Sequence, residues 1–283
     1  MASDLTGDDL TGAGAAEIAR PDVSPVDRPA LPTPPSSQPH RSRFLAIYAI
    51  LGLAVAAAIV GVVVYAGRAI NPAPAWSSWK PTGGGLGAAK QIAEHISPSY
   101  RLPDGNQLVD VIPRGPSVTS GGQQITIPLL ALRGPKGKVL ADQVQQLSSD
   151  NTFTFSLCGL GQSCAIATGK PSTERAVLVR REILELALYT FKYVHGAKRI
   201  VAFMPPPAGT PPTYVVYLQK SDLESQLHVP LTRTLSPKVP LPAQITPVEQ
   251  QRIDGITATR LYKFGLSQTQ QGDPVLVLTP VKA

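Results

Sequence analysis

The chain is poor in the residues from which familiar catalytic centres are built. Two cysteines, four histidines and two methionines are spread over 283 residues. No HExxH, His-x-His or G-x-S-x-G pattern occurs, which excludes the common zinc-hydrolase and nucleophile-elbow layouts. Three look-alikes fail on inspection. GGGLGA (83–88) has the letters of a dinucleotide fingerprint, but a Pro/Gly linker precedes it instead of an apolar strand. ATGKPS places Cys164 where a Walker A loop needs its first glycine and Pro171 where it needs a hydroxyl. Ser77-Ser78-Trp79-Lys80 has S-x-x-K spacing, yet no KTG or SDN follows. Catalytic, cofactor-binding and metal-ligating residues are therefore assigned to none of the positions, and no cofactor is implied. Charged residues make up only 16% of the chain, and the basic ones show none of the aromatic interleaving of a single-strand nucleic-acid binder, so no nucleic-acid partner is expected.

What the chain does have is one long apolar run. Residues 44–66, FLAIYAILGLAVAAAIVGVVVYA, contain no charge, Asn, Gln or Pro. At about 1.5 Å per residue they make roughly 34 Å of helix, enough to cross a hydrocarbon core of about 30 Å. A buried helix of a soluble protein seldom needs so long a run. The small residues Gly52/Ala56 and Ala57/Gly61, four apart, would let a second helix approach closely, so helix-mediated homo-oligomers are possible.

Arg41 and Arg43 abut the start of the run, which sets the N-terminus inside and everything foldable outside. Ala73-Pro74-Ala75 has the small-x-small form of a cleavage site, leaving open whether the anchor is cut after Ala75. The run is nevertheless too long for a signal-peptide core and sits behind a long tail, as in an uncleaved signal-anchor.

Around this span the chain divides. Residues 1–43, with seven prolines and almost no aromatics, read as a disordered cytoplasmic tail. Residues 67–85 read as a juxtamembrane linker in which Trp76 and Trp79 either sit at the headgroup level or pack onto the folded domain. Residues 86–283 read as an extracytoplasmic α+β domain, with a possible division into two subdomains near 150. Helices are expected over 86–96, 139–149 and 174–194, the last capped by Ser172 or Thr173 with its charged side chains mostly off the apolar stripe. A capping-box pair, Ser221 and Glu224, should open a short helix, and Thr246 with Glu249 another. Strands are expected over 107–113, 124–134, 151–159, 199–205, 213–219, 258–266 and 274–281.

The segments CGLGQSC, GKPSTER, RREILELALYTFKYV and VAFMPPP together resemble part of a family of single-span membrane proteins from high-GC Gram-positive bacteria. The resemblance covers the middle third of the chain and implies a bacterial plasma-membrane location, but it brings no activity and no site residues.

Cys158 and Cys164 then take their reading from the compartment. Outside the cell a cysteine pair persists as a disulfide, and Gly159 and Gly161 between them let the chain turn back on itself. A redox pair would more often be C-x-x-C, and a metal would need further ligands nearby. His95, His195 and His228 form no paired ligand spacing, and His195 suits a helix end. From residue 67 onward 22 Lys and Arg stand against 13 Asp and Glu, a basic balance that would draw anionic lipids or acidic envelope polymers. The expectation is a membrane-anchored interaction or assembly module that meets the bilayer and other envelope components. An anchored envelope enzyme and a transmembrane sensor are the alternatives.

Overall fold

The computed structural model describes residues 41–70, 74–120, 122–134 and 144–281. Of the tail expected over 1–43, residues 1–40 lie outside them, as do Ala73 of the cleavage-site pattern and residues 139–143, while 41–43 are helical and correct the expectation of disorder there. Two compact units emerge, one ending at Pro72 and one beginning at Ala73.

In the first unit the apolar run forms α1 (Arg41–Ile70). Within it Arg43–Gly67 is long and apolar enough to cross a membrane, and none of that stretch is buried. Its exposed side chains include Phe44, Leu53 and Tyr65.

The second unit is α+β, built on one mixed eight-stranded sheet. The strands are β1 (Asp110–Arg114), β4 (Leu129–Arg133), β5 (Val144–Ser148), β6 (Thr152–Cys158), β7 (Arg199–Phe203), β8 (Tyr214–Gln219), β9 (Leu261–Gln268) and β10 (Pro274–Pro280). Their order is β1-β6-β7-β8-β9-β10-β4-β5, with β6/β7 and β10/β4 parallel and the other pairs antiparallel. β2 (Ser117–Ser120) and β3 (Gln123–Thr126) form a separate hairpin. Strands from both sides of residue 150 share the sheet.

Two cores follow from the period-2 alternation of the strands. On one face Phe155, Leu157, Ile200, Ala202, Val216 and Leu218 pack against α2 (Gly85–Ile96), α3 (Thr173–Tyr193) and α5 (Pro247–Thr257). On the other, Val201, Phe203, Val215, Tyr217, Leu130, Leu276 and Leu278 form a second cluster closed by Val118 and Ile125 of the hairpin. The central strands β7 and β8 are therefore buried on both faces and read as nearly continuous apolar runs.

Four further expectations are corrected. Residues 144–148 form β5 and not the end of a helix: paired along β4 from Leu129↔Ser148 to Arg133↔Val144, the backbone finds a ladder that outweighs the helix propensity of Leu and Gln. The run 124–134 breaks at Pro128 into β3 and β4, since proline cannot donate to a ladder. The capping box at 219–224 is made by Gln219 and Asp222 and opens a 3₁₀ turn, with Glu224 only starting the one-turn α4 (Glu224–Leu227). Most consequentially, α3 buries Arg175, Arg181 and Glu182 along with its apolar stripe.

Candidate functional site

α3 positions the site. Its start is fixed by Ser172, whose Oγ accepts from the Arg175 amide at 3.1 Å. Residues four apart lie one above another along a helix, so Arg181, Glu185, Tyr189 and Tyr193 form a single ridge. That ridge passes from a buried ion cluster, along a cleft, to a group of packed aromatic rings.

At its lower end Arg181 is fully buried, and each of its three guanidinium nitrogens donates a hydrogen bond. Nε donates to Glu249 Oε1 at 2.8 Å, Nη1 to the Tyr100 hydroxyl and to Glu185 Oε2 at 3.3 Å, and Nη2 to the Ser236 carbonyl at 2.7 Å. Tyr100 donates in turn to Glu185 Oε2 at 2.6 Å. Ser236 closes the cluster, its amide and hydroxyl donating to the two oxygens of Glu249 at 3.0 and 2.6 Å. Burial alone would push the Glu249 carboxyl up, but the Ser236 hydrogen bonds and the Arg181 charge outweigh it and hold it below the usual carboxylate range. Burial, then the Glu185 charge, raises the Tyr100 phenol well above its ordinary value, so it stays a neutral donor.

One helical position away, Glu182 is enclosed, and among the described residues neither of its carboxyl oxygens has a hydrogen bond. The Ser97 hydroxyl beside it donates to the Val109 carbonyl at 2.9 Å instead. Burial raises this carboxyl well above its usual range, which favours the protonated form.

At the upper end the segment after α1 is strapped across α3. Trp76 Nε1 donates to the Gln226 carbonyl at 3.1 Å, and the Trp76 carbonyl accepts from the Leu231 amide at 2.7 Å. Ser77 Oγ and the Tyr193 hydroxyl are 2.8 Å apart. Trp76 meets Tyr189 edge-on at 5.2 Å and 82°, while Trp79 stacks on His95 at 4.0 Å and 9°. Both tryptophans, candidates for a membrane interface, are thus half-buried against the domain's own core. Arg43 is exposed on α1; the side chain of Arg41 is not among those described.

Between strap and ion cluster lies a cleft of about 600 Å³, walled by Trp76, His95, Tyr189 and the 230–239 loop, with Glu185 reaching into it. Its size falls within the range of about 300–1,000 Å³ typical of small-molecule sites. His95 and Glu185 share this cleft but make no hydrogen bond to each other. The other histidines stand apart: His228 pairs with Glu224 at 3.0 Å in a largely exposed i,i+4 contact, and His195 is exposed beyond the end of α3.

Cys158, the last residue of β6, and Cys164, in the 3₁₀ turn that follows, have their sulfurs 2.03 Å apart, a disulfide. Gly159 is required there, because a Cβ would fall 2.6 Å from the Ala165 carbonyl oxygen and 2.7 Å from the Ile166 backbone. Leu160, Ser163 and Cys164 all take positive φ, so the covalent bridge holds a turn that such side chains rarely adopt unaided. No group of three or more metal-ligating side chains is assembled among the described residues.

Sequence reasoning missed the Arg181–Glu249–Ser236–Tyr100 cluster, whose hydrogen-bonded pairs are 13 to 81 residues apart. The one available signal was the spacing-four row along α3. No protein-family model matches the chain, and neither a curated protein nor a solved structure does.

Proposed function

We propose that this protein is a single-pass, membrane-anchored binding module of the bacterial cell envelope, with residues 1–43 cytoplasmic and the α+β domain on the outside. The observation that carries the reading is the pairing of an apolar helix whose whole candidate span is uncovered with a following domain that contains a disulfide. An uncovered span of 25 residues lowers its free energy in lipid, and a cysteine pair stays oxidised outside the cytoplasm. The basic balance of the chain after α1 fits anionic lipid or envelope polymers as partners, and other envelope proteins would meet it at the same surface.

A topology reporter tests the anchor. An export-dependent reporter fused after Ala283 should be active in intact cells; activity of a cytosolic reporter alone at the same position would remove the compartment assignment. Mass measurement of a non-reduced digest should find Cys158 and Cys164 in one linked peptide.

One observation favours a second reading as an anchored enzyme, namely the presence of His95 and Glu185 in a single cleft. Glu185 Oε2 is already taken by Tyr100 and Arg181, which leaves this carboxylate better placed to hold a ligand than to relay a proton. Turnover of a bound ligand that His95→Ala abolishes without weakening binding would establish the enzyme.

A further inference from the structure

The ion cluster beside α3 carries one more carboxylate than guanidinium, and Lys238, which also lines the cleft, makes no ion pair with it among the described residues. Two carboxylates, Glu185 and Glu249, share one guanidinium, Arg181. Glu249 is fully occupied by Arg181 and Ser236. Glu185 is not: its Oε2 takes Tyr100 and Arg181, and among the described residues its Oε1 accepts no hydrogen bond. Its side chain retains 17% exposure, on the cleft side. A cluster of formal charge −1 therefore holds one unused carboxylate oxygen on a side chain that lines the concave cleft. The rings of Trp76 and Tyr189 border the same space, and aromatic faces attract cations. Trp76 already accepts one, with Lys192 Nζ 5.8 Å from its ring centroid.

We propose that this cleft is a ligand site selective for an ammonium group, seated on Glu185 Oε1, with an apolar or aromatic body lying against Trp76 and Tyr189. The buried half of the ion cluster is what makes the carboxylate useful. Tyr100 and Arg181 hold Glu185 in one position before the ligand arrives, so little side-chain entropy remains to be lost on binding. A neutral molecule of the same shape would leave the carboxylate desolvated without a partner, which penalises it. The domain as a whole is basic, so the cleft discriminates at short range and does not steer cations from a distance. This site is distinct from the basic surface invoked for anionic partners and does not depend on which side of a membrane the domain lies.

The test uses the full chain in non-ionic detergent, with benzylammonium as the probe and benzyl alcohol and benzoate as its neutral and anionic counterparts. Trp76 and Trp79 are the only tryptophans and both belong to the strap, so intrinsic fluorescence reads occupancy. Benzylammonium should quench or shift the emission saturably, and Glu185→Gln should weaken its binding about tenfold, the loss of one charge-assisted hydrogen bond. Equal binding of benzyl alcohol, no saturation by benzylammonium, or an unchanged constant in a folded Glu185→Gln protein would each overturn the proposal. Should Glu185→Gln fail to melt cooperatively, Lys238→Glu decides instead. Lys238 is exposed and borders the same cleft, so reversing its charge should tighten benzylammonium binding several-fold; no change or weaker binding would refute the site. A negative result here leaves the reporter result at Ala283 untouched.

Discussion

Two helices of this chain break the ordinary pattern of a soluble helix, in opposite directions. Over residues 44–66 α1 is apolar on every side and exposed on every side, while α3 carries Arg175, Arg181 and Glu182 and buries all three. A soluble surface helix keeps an apolar stripe inward and charges outward. α1 departs from that rule because its proposed solvent is lipid, where side chains need no partner beyond hydrocarbon. α3 departs from it because the protein supplies Arg181 with the partners that water would have given. Among the described residues Glu182 has no such partners, and burial favours its neutral form. Exposure has meaning only relative to the surrounding medium, and burial of charge only relative to what meets it.

The comparison breaks most sharply at Arg181. Arg181→Met should cost about 3–5 kcal/mol, because it leaves the Glu249 and Glu185 carboxylates without their shared cation, with only the Ser236 and Tyr100 hydrogen bonds remaining. Urea unfolding of the full chain in detergent, followed by the fluorescence of Trp76 and Trp79 packed near α3, would measure it. Arg181→Lys should also lose stability, since an ammonium cannot supply Nε, Nη1 and Nη2 in a rigid fork.

On α1 the same logic runs in reverse, with an added charge as the perturbation. Val55→Arg, at the middle of Arg43–Gly67, should disfavour insertion by about 2.5–3.5 kcal/mol. The expected readout is a shift from the membrane to the soluble or degraded fraction of cells. Val248→Arg, an exposed apolar position on α5, should leave that distribution unchanged.

How far these features were legible depends on whether a local pattern encodes them. α1 could be read because hydropathy over a span needs no partner. The ends of α3 could be read because Ser172 caps it through an adjacent amide, and β7 and β8 because an apolar run between prolines and glycines suits a strand buried on both faces. β5 was misread: Gln145, Gln146 and Leu147 have helical preferences, and only β4, some fifteen residues away, converts them to a strand. The ion cluster was illegible in principle. Nothing near Arg181 announces Glu249, and a charged residue in a helix is assigned to the solvent face unless its distant partner is known. Trp76 and Trp79 left two environments open, and the segment's hydrogen bonds to Gln226, Leu231 and Tyr193 show them packed on the domain.

The disulfide offers a perturbation that leaves both helices' residues intact. Replacing Cys158 and Cys164 together by serine frees a loop of about seven residues, worth roughly 2.4 kcal/mol in the chain-entropy model. Thermal melting should fall accordingly, and a reductant should lower the wild-type melting temperature toward the double variant while leaving the variant unchanged. An undiminished melting temperature would mean that the turn at Leu160, Ser163 and Cys164 holds its positive φ without the bridge.

The smallest effect is also the one whose sign separates buried charge from buried neutrality. Glu182 has its folded pKa raised by burial, so in its usual titration range the unfolded chain releases a proton that the folded chain keeps. Its contribution is complete below the ordinary carboxylate range and declines as pH rises through that range toward the folded pKa. Glu249 runs the other way: its folded pKa is lowered, so its contribution is present above the ordinary range and is lost as acid protonates it. Glu182→Leu removes a carboxyl with no hydrogen bond and should therefore stabilise the domain by about 1–2 kcal/mol near pH 7. Near pH 4, where folded and unfolded chains both tend to hold the proton, the gain should shrink. Melting temperatures at the two pH values decide the matter: a gain of a few degrees at the higher pH only is the expected result. An equal gain at both would mean that Glu182 is costly for its shape and not for its proton. A loss at both would mean that its oxygens do have partners when the protein is folded, and that α3 buries a satisfied acid as well as its arginines.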